Sequence, residues 1–495
     1  MDRREFLKQS AIAATALSAS PRTLFGASHE KQKTVAALDG GLVRNFASRL
    51  RGQALLPGDA GYEAGCQNWL GGIPKRPGLV VLPAGTEDIA AAVRLAREQG
   101  LALSVRGGGH TLNYTNDGGV LLNLTSLQKI AVDPAKRLLR VDAGLTGGAV
   151  DKATSAYGLA AVMGECPSVG LSGLALGGGL GRLMGQHGAL CDNLVSAEVV
   201  TADGNTLRVS ADENADLFWA TRGGGGNFGI ATSFEFRLHP VGQVLSGVLQ
   251  YPISRTREVL QFFGRYMETA PDALDTAMEI GSGILSYVEN RGPAITIHVT
   301  CGGELRAAER ALQPLRAFGP PDSDTIRAVT YFEAQAMGNF SPAVFVRPKG
   351  YVPYARRGFL TRLTNDAVDR IVAALEKPPS AYWYLALDHY LHGAVLRVPE
   401  AEMAFSLRQP GFSYRAVAFE ESRPPKSIVA WAKSVQSALE PFSGGRMYVN
   451  YLTEDQGEPG VRAGFGANYT RLAALKKKWD PTNFLHLNHN IKPAA

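Results

Sequence analysis

The sequence predicts an α+β fold in two domains, and three observations lead there. At 495 residues the chain exceeds what one hydrophobic core ordinarily serves. Its first half carries a strand–helix–strand pattern and then three glycine clusters. Its second half loses the glycines and turns to alternating, aromatic-rich segments linked by charged helices. The composition, 45% hydrophobic and 19% charged, is globular, and the 56 glycines gather in clusters rather than in low-complexity runs.

The chain opens Asp2-Arg3-Arg4-Glu5-Phe6-Leu7-Lys8, followed by a mildly apolar stretch from Ala11 to Ala19, Pro21, and small residues at Gly26, Ala27 and Ser28. Paired arginines ahead of a short apolar run predict a twin-arginine export signal over residues 1–28. The expected partner is the twin-arginine export machinery, and the expected destination is periplasmic or secreted, in a bacterium. No other apolar run reaches the roughly 20 residues of a membrane span, so none is expected. Of the net charge of +6, Arg3, Arg4, Lys8 and Arg22 against Asp2 and Glu5 place +2 in this leader. The remainder forms no basic stripe with interleaved aromatics, which argues against nucleic acid as a partner. Lys476, Lys477 and Lys478 read as one solvated helix face. Cys66, Cys166, Cys191 and Cys301 show no C-x-x-C spacing, so no metal is expected, and their pairing in disulfides stays open.

Residues 35–242 form the first expected domain. Leu79 to Leu82 reads as a strand; Gly85-Thr86-Glu87-Asp88 starts a helix in which Ile89, Val93 and Ala96 recur at helical spacing until Gly100. The strand Leu101 to Val105 runs into Arg106-Gly107-Gly108-Gly109-His110-Thr111. Three glycines between a strand end and a histidine leave amide N–H groups free to close on an anion, a phosphate above all. The second cluster is Gly164-Glu165-Cys166-Pro167-Ser168-Val169-Gly170, continuing through Gly173 to Gly177, Gly178, Gly179 and Gly181. The third, Arg222 to Gly229 with Gly226, Asn227, Phe228 and then Ile230, follows a helical segment from Asp216 to Ala220. None of the three is a G-x-x-x-x-G-K-[ST] or a G-x-G-x-x-G, which disfavours nucleoside triphosphatase and NAD-type sites. Residues 243–443 read as a second, substrate domain, an antiparallel sheet covered by helices, with strands at Ala381 to Leu391 and Phe412 to Phe419 and a helix from Asp366 to Lys377. Residues 444–495, carrying Tyr448-Val449-Asn450-Tyr451, Asp480-Pro481 and Asn488, are expected to return and complete the first domain.

These motifs, in type, order and spacing, resemble the flavin oxidases of the berberine bridge enzyme-like group, within the vanillyl-alcohol-oxidase superfamily. The resemblance is carried by Tyr62, Asn68-Trp69 and Arg76-Pro77, by Val105 to His110, by Cys166 to Gly170 with Gly188 and Asp192, by Asp216 to Trp219, by Phe405 to Tyr414, and by Tyr448 to Tyr451 with Asp480-Pro481. It implies a two-subdomain FAD-binding domain of the PCMH type and FAD as cofactor. It further implies two covalent bonds, from His110 to the flavin 8α-methyl and from Cys166 to flavin C6. Cofactor contacts are implied for Arg106, Gly107, Gly108, Gly109, His110, Thr111, Cys166, Val169, Gly170, Gly173, Gly177, Gly178, Gly226, Asn227, Phe228, Gly229, Ile230, Asn450 and Asn488. Thr111-Leu112-Asn113-Tyr114 departs from the family, which often has a glycine there.

The implied activity is abstraction of a hydride from a small organic alcohol, sugar, or phenolic or alkaloid substrate, with O₂ as acceptor giving H₂O₂. A flavin dehydrogenase using a quinone or cytochrome, and an exported flavin-binding protein without turnover, are the alternatives. The small Val169 beside the cysteinyl position favours the oxidase. Tyr451 is the implied base, with Tyr448 in a packing role. Alternation along Trp383 to Tyr390 sends Asp388 and Tyr390 to one face and His389 to the other, which makes Asp388 a second candidate base, as in sugar-oxidising relatives. Berberine-type members use a strand glutamate where alignment here puts Arg397.

Overall fold

The computed structural model describes residues 38–69, 73, 75–111, 115–282, 292–337, 351–421 and 426–495. The twin-arginine leader and Leu112-Asn113-Tyr114 lie outside the described residues. Three main sheets follow one another along the chain, and the fold is α+β.

The first sheet contains β1 (Gln53–Leu55), β2 (Leu79–Leu82), β3 (Leu103–Arg106) and β4 (Val120–Asn123) in the order β1-β2-β4-β3. The helix α1 (Thr86–Glu98) connects β2 to β3, as the apolar spacing predicts, and β4 pairs in parallel with both. Ile89, Val93 and Ala96 bury its inner face, and Gly100 ends it with φ of 61°. Asp88, buried in the first turn, reaches back beyond the helix start. Its carboxylate accepts the backbone N–H groups of Arg51, Gly52 and Ala84 at 3.0, 2.9 and 2.8 Å, tying β1 to the start of the helix.

The second sheet is antiparallel: β5 (Ile130–Asp133), β6 (Leu138–Asp142), β7 (Leu194–Val200), β8 (Thr206–Ser210) and β9 (Ile230–Arg237), in the order β5-β6-β9-β7-β8. The helix α2 (Ala215–Thr221) delivers the third glycine run into β9.

The third sheet has eight strands. Its long members are β10 (Gln243–Pro252), β11 (Leu274–Gly281), β12 (Ala294–Cys301), β13 (Tyr351–Leu360), β14 (Tyr382–Leu391) and β15 (Gly411–Glu421), ordered β10-β12-β11-β14-β15-β13, all antiparallel. On one face Trp383, Leu385 and Leu387 join a core with Phe263, Leu312, Ile371 and Trp431, contributed by covering helices. Their alternation partners Tyr384, Ala386, Asp388 and Tyr390 are buried as well, on the opposite face. A strand with both faces covered is what the period-2 pattern alone does not distinguish from a half-exposed one.

The C-terminal helix α3 (Tyr469–Trp479) corrects one expectation. Lys476 does not share a solvated face with its neighbours; it is 0% exposed. Its ammonium donates to the Asn227 carbonyl at 2.8 Å, the Leu485 carbonyl at 2.9 Å and Asp480 Oδ2 at 2.7 Å. Asp480 in turn accepts the N–H groups of Phe484 and Leu485 at 2.8 and 2.9 Å. Spacing of four along a helix pairs the two charges, and complete hydrogen bonding is what makes such a pair tolerable in a dry interior. The pair fastens the tail to the third glycine run, and Ile491 and Leu485 enter the core of the first two sheets. Lys476→Met, which leaves Asp480 buried without its cation, is expected to cost about 3–5 kcal/mol in urea unfolding; an unchanged midpoint would contradict this role.

Candidate active site

Two of the glycine clusters meet backbone to backbone. A Cβ placed on Gly108 would sit 2.2 Å from the Gly170 nitrogen, and one on Gly170 would sit 2.0 Å from the Gly108 nitrogen. Neither position accepts any other residue without moving the main chain. The crossing brings together side chains 58 residues apart in sequence. His110 Nε2 lies 3.1 Å from Ser168 Oγ, and the same oxygen lies 3.2 Å from Cys166 Sγ. Trp69 stacks on the His110 ring with centroids 4.4 Å apart and planes 6° from parallel.

The bridging hydroxyl suits two nucleophiles at once. With Nε2–H donating to Ser168 Oγ, the lone pair of His110 is left on Nδ1; with the serine O–H donating to Cys166 Sγ, the sulfur is favoured as thiolate. Burial lowers the His110 pKa to about 4, with Arg357 acting in the same direction, so the ring is neutral near pH 7. Burial pushes the Cys166 thiol above its usual range, and its bond to Ser168 opposes that. Sequence reasoning quoted Ser168 and Trp69 inside motifs without seeing either role.

His110, Cys166 and Trp69 line a cavity of about 470 Å³. One wall is glycine backbone: Gly107, Gly108 and Gly109 with Thr111, then Val169, Gly170 and Gly173, then Gly226, Asn227, Gly229 and Ile230. The tail adds Asn450, Tyr451 and Asn488, and Asn488 donates to the Gly226 carbonyl at 3.0 Å. The opposite wall is the third sheet, which contributes Arg357 from β13, Arg415 from β15 and Tyr390 from β14.

Five expected site residues lie elsewhere. Arg106 turns away and donates to the Gly65 carbonyl at 3.2 Å. Gly177 is bare because the Asn450 amide packs 2.3 Å from where its Cβ would be, and Gly178 because Phe405 does the same at 2.3 Å. These glycines seat the residues that face the cavity. Phe228 is buried against Gly224. Asp388 is fully buried behind Arg415, which donates to it at 2.9 Å, as does Ser413 at 2.9 Å. As a base it has no path to the cavity; it is the counter-charge of Arg415. Arg397 is not on a strand at all. It ends the short helix Ala394–Arg397 and pairs with Asp272 at 2.8 Å, and the sheet position facing the cavity carries Arg415.

Tyr448 and Tyr451 divide their labour. The Tyr448 hydroxyl accepts the Gly179 N–H and the Asn450 amide, both at 3.0 Å, which makes it an anchor for the loop. Tyr451 packs edge-on to Tyr448, and its ring faces the Arg357 guanidinium at 5.0 Å. Burial raises the Tyr451 pKa and Asp388 adds to that; Arg415 and Arg357 oppose it.

The residues present fit an FAD. The bare glycine wall offers amide N–H groups at close range to a pyrophosphate, the Asn488 side-chain oxygen is buried without a partner among the described residues, and His110 and Cys166 sit side by side as a neutral imidazole and a thiol. Cys66, Cys191 and Cys301 are buried and form no disulfide among the described residues. Among the described residues no group of His, Cys, Asp and Glu is arranged to hold a metal ion, and no helix is long and apolar enough to cross a membrane.

Comparison with known proteins agrees with this geometry. Residues 77–210 match the family model described as an FAD binding domain, and residues 447–492 match the one described as berberine and berberine like. The (R)-6-hydroxynicotine oxidase of Paenarthrobacter nicotinovorans is 32% identical over 461 residues, covering 90% of this chain and 97% of the relative. The crystal structure of 6-hydroxy-D-nicotine oxidase from Arthrobacter nicotinovorans superposes with a TM-score of 0.79 at 30% identity, over 90% of this chain and 98% of that one. A glucooligosaccharide oxidase from Acremonium strictum, with a 6-S-cysteinyl, 8α-N1-histidyl FAD, shares the fold at a TM-score of 0.79 and 22% identity, over 92% and 99% of the two chains.

The backbone crossing makes a steric prediction. Gly170 has φ of −67°, so alanine is conformationally acceptable there and only the clash counts. Gly170→Ala is expected to lower stability by at least about 1–3 kcal/mol and to abolish the flavin absorbance of the purified protein. Gly173→Ala, with nothing within 4 Å of the new Cβ, is expected to unfold at the wild-type temperature. Equal melting temperatures for the two variants would refute the crossing.

Proposed function

The chain belongs to the berberine bridge enzyme-like family of FAD-linked oxidoreductases, and from that premise we propose that it is an exported oxidase that holds FAD through both His110 and Cys166. The observation that carries the bicovalent reading is the single serine hydroxyl within hydrogen-bond distance of both attachment residues, at His110 Nε2 and at Cys166 Sγ. One attachment group would need no such bridge.

Bound FAD would supply a two-electron acceptor for the hydride of the donor carbon, and O₂ would take up those two electrons with two protons as H₂O₂. The protein's own part is the proton and the position. Tyr451 stands between the sheet wall and the glycine wall and accepts the substrate hydroxyl proton as its C–H is broken. Asp388 acts through Arg415: the buried pair holds that guanidinium in the sheet wall, where its positive field lowers the cost of charge on the Tyr451 oxygen. Val169, at the edge of the glycine wall beside Cys166, leaves room for O₂, which favours the oxidase over a dehydrogenase that uses a quinone or cytochrome. Arg3-Arg4 and the apolar stretch behind them support twin-arginine export to the periplasm or beyond, the route of proteins that fold around a cofactor first. The substrate class is a small organic alcohol, sugar, or phenolic or alkaloid donor, the range spanned by an enzyme acting on 6-hydroxynicotine and one acting on glucooligosaccharide.

Acid precipitation tests the attachment. Wild type, His110→Ala and Cys166→Ala are each expected to give a yellow pellet, and the double variant a yellow supernatant or no flavin; colour released from the wild type would refute covalent attachment. Tyr451→Phe tests the base. It is expected to keep the flavin spectrum and lose about 10²–10⁴-fold in the rate of anaerobic flavin bleaching by substrate. A loss of less than fivefold would move the base elsewhere.

A further inference from the structure

Among the described residues, one positive charge on the cavity wall has no ion-pair partner. Every other charged side chain on its wall has a counter-charge: Arg415 is paired with Asp388 at 2.9 Å, and Glu165 with Arg182 at 3.5 Å. Arg357 has none. Among the described residues its guanidinium makes no hydrogen bond and no ion pair, its Nε is buried without a partner, and it lies over the face of the Tyr451 ring at 5.0 Å.

Sheet register makes the arrangement costly. Arg357 on β13 pairs directly with Arg415 on β15, so the two side chains rise from the same face as immediate cross-strand neighbours. Like charges in that relation destabilise a sheet, and Asp388, the carboxylate on the neighbouring strand, is engaged by Arg415 and Ser413. A half-buried guanidinium kept in place against that repulsion, with its planar fork open to a cavity, has the form of a receptor for a planar oxyanion.

We propose that the substrate is an anion, and that its carboxylate docks on Arg357 while the carbon to be oxidised lies beside Tyr451. This deepens the proposed function and rests on it. The amide N–H groups of the glycine wall would answer the charge of an FAD pyrophosphate, so the phosphates would not need Arg357. An anionic donor also fits the base. Arg357 lies against the Tyr451 ring, so a carboxylate on its far side leaves the phenol oxygen free and fixes the distance from the anchored group to the reacting carbon.

Benzoate and benzamide, equal in shape and different in charge, serve as ligands for purified holoenzyme. Titration at pH 7.5, followed by flavin absorbance and by calorimetry, is expected to show benzoate binding about 10- to 100-fold more tightly, the range for a charge-assisted pair over a neutral one. Arg357→Gln is expected to erase the preference while leaving benzamide affinity within threefold. Arg357→Lys, which keeps the charge and loses the fork, is expected to retain part of it. Equal affinities in the wild type, a preference that survives Arg357→Gln, or no binding of either compound at millimolar concentration would each overturn the proposal. The calorimetric arm needs no flavin signal. Protein that arrives without flavin yet prefers benzoate would therefore sink the proposed function and spare the anion site, whereas flavin-loaded, reducible protein without the preference would do the reverse.

Discussion

At Gly108 and Gly170 two backbones approach more closely than any side chain permits, and the site is built outward from that contact. The strand β3 ends in the first glycine run, and the loop with the second follows β5 and β6 of the next sheet. Without Cβ atoms the two runs press together, and His110, Ser168 and Cys166 become neighbours as a geometric consequence. Glycine is required here for volume rather than for a left-handed φ, since Gly170 is in an ordinary extended conformation. Close packing recurs one step back: Asn450 lies on Gly177, and Phe405 lies on Gly178 and Gly223, whose φ of 118° and 119° also favours glycine. Glycines thus serve in two layers, one facing the cavity and one making room for the residues that face it.

Across the cavity the constraints are electrostatic. The Asp388–Arg415 pair lies fully inside the protein, where desolvation of each charge costs several kcal/mol and is offset only by complete hydrogen bonding. Ser413 supplies a second donor to the carboxylate, and the cross-strand register places it directly opposite. The influence on Tyr451 is divided. Burial and the Asp388 charge resist phenolate formation, and the two guanidiniums favour it. As the proposed base, Tyr451 would be reluctant in that balance until a substrate displaced water and aligned its hydroxyl, restricting proton transfer to the loaded site.

The parts of this protein legible in its sequence are those written in local pattern. The helix from Thr86, the strands around Trp383 and Phe412, and the helix entering the third glycine run follow from apolar spacing and from Gly100 as a stop signal. His110, Cys166 and Tyr451 were legible because each sits inside a motif. Illegible were relations set by sheet register and by docking of distant segments. Nothing local distinguishes Arg357 from Arg356, yet Arg356 pairs with Asp455 and Thr453 while Arg357 faces the cavity. Nothing local separates Lys476 from Lys477 and Lys478; only the carbonyls of Asn227 and Leu485, brought in by the tail, make one of the three an interior cation. Asp388 was placed on the correct face by alternation, but period 2 gives a direction and not a depth, and Arg415 stands in front of it.

The tail links these separate constraints. Lys476 and Asn488 fasten it to the third glycine run, Asn450 and Tyr448 fasten it to the second, and Tyr451 is carried between. The proposed base is therefore positioned by the same segment that closes the cofactor wall. A chain organised this way has no complete cavity until its C-terminal segment has been made and docked, because contacts between residues 227 and 491 cannot form earlier. Cofactor binding then follows folding of the whole chain. An export route that accepts only threaded, unfolded protein would separate the polypeptide from the compartment where FAD is made before the site could exist. The twin-arginine leader proposed for residues 1–28 resolves that conflict, and the bicovalent tether proposed at His110 and Cys166 resolves its sequel, since a cofactor lost after export has no local supply to replace it.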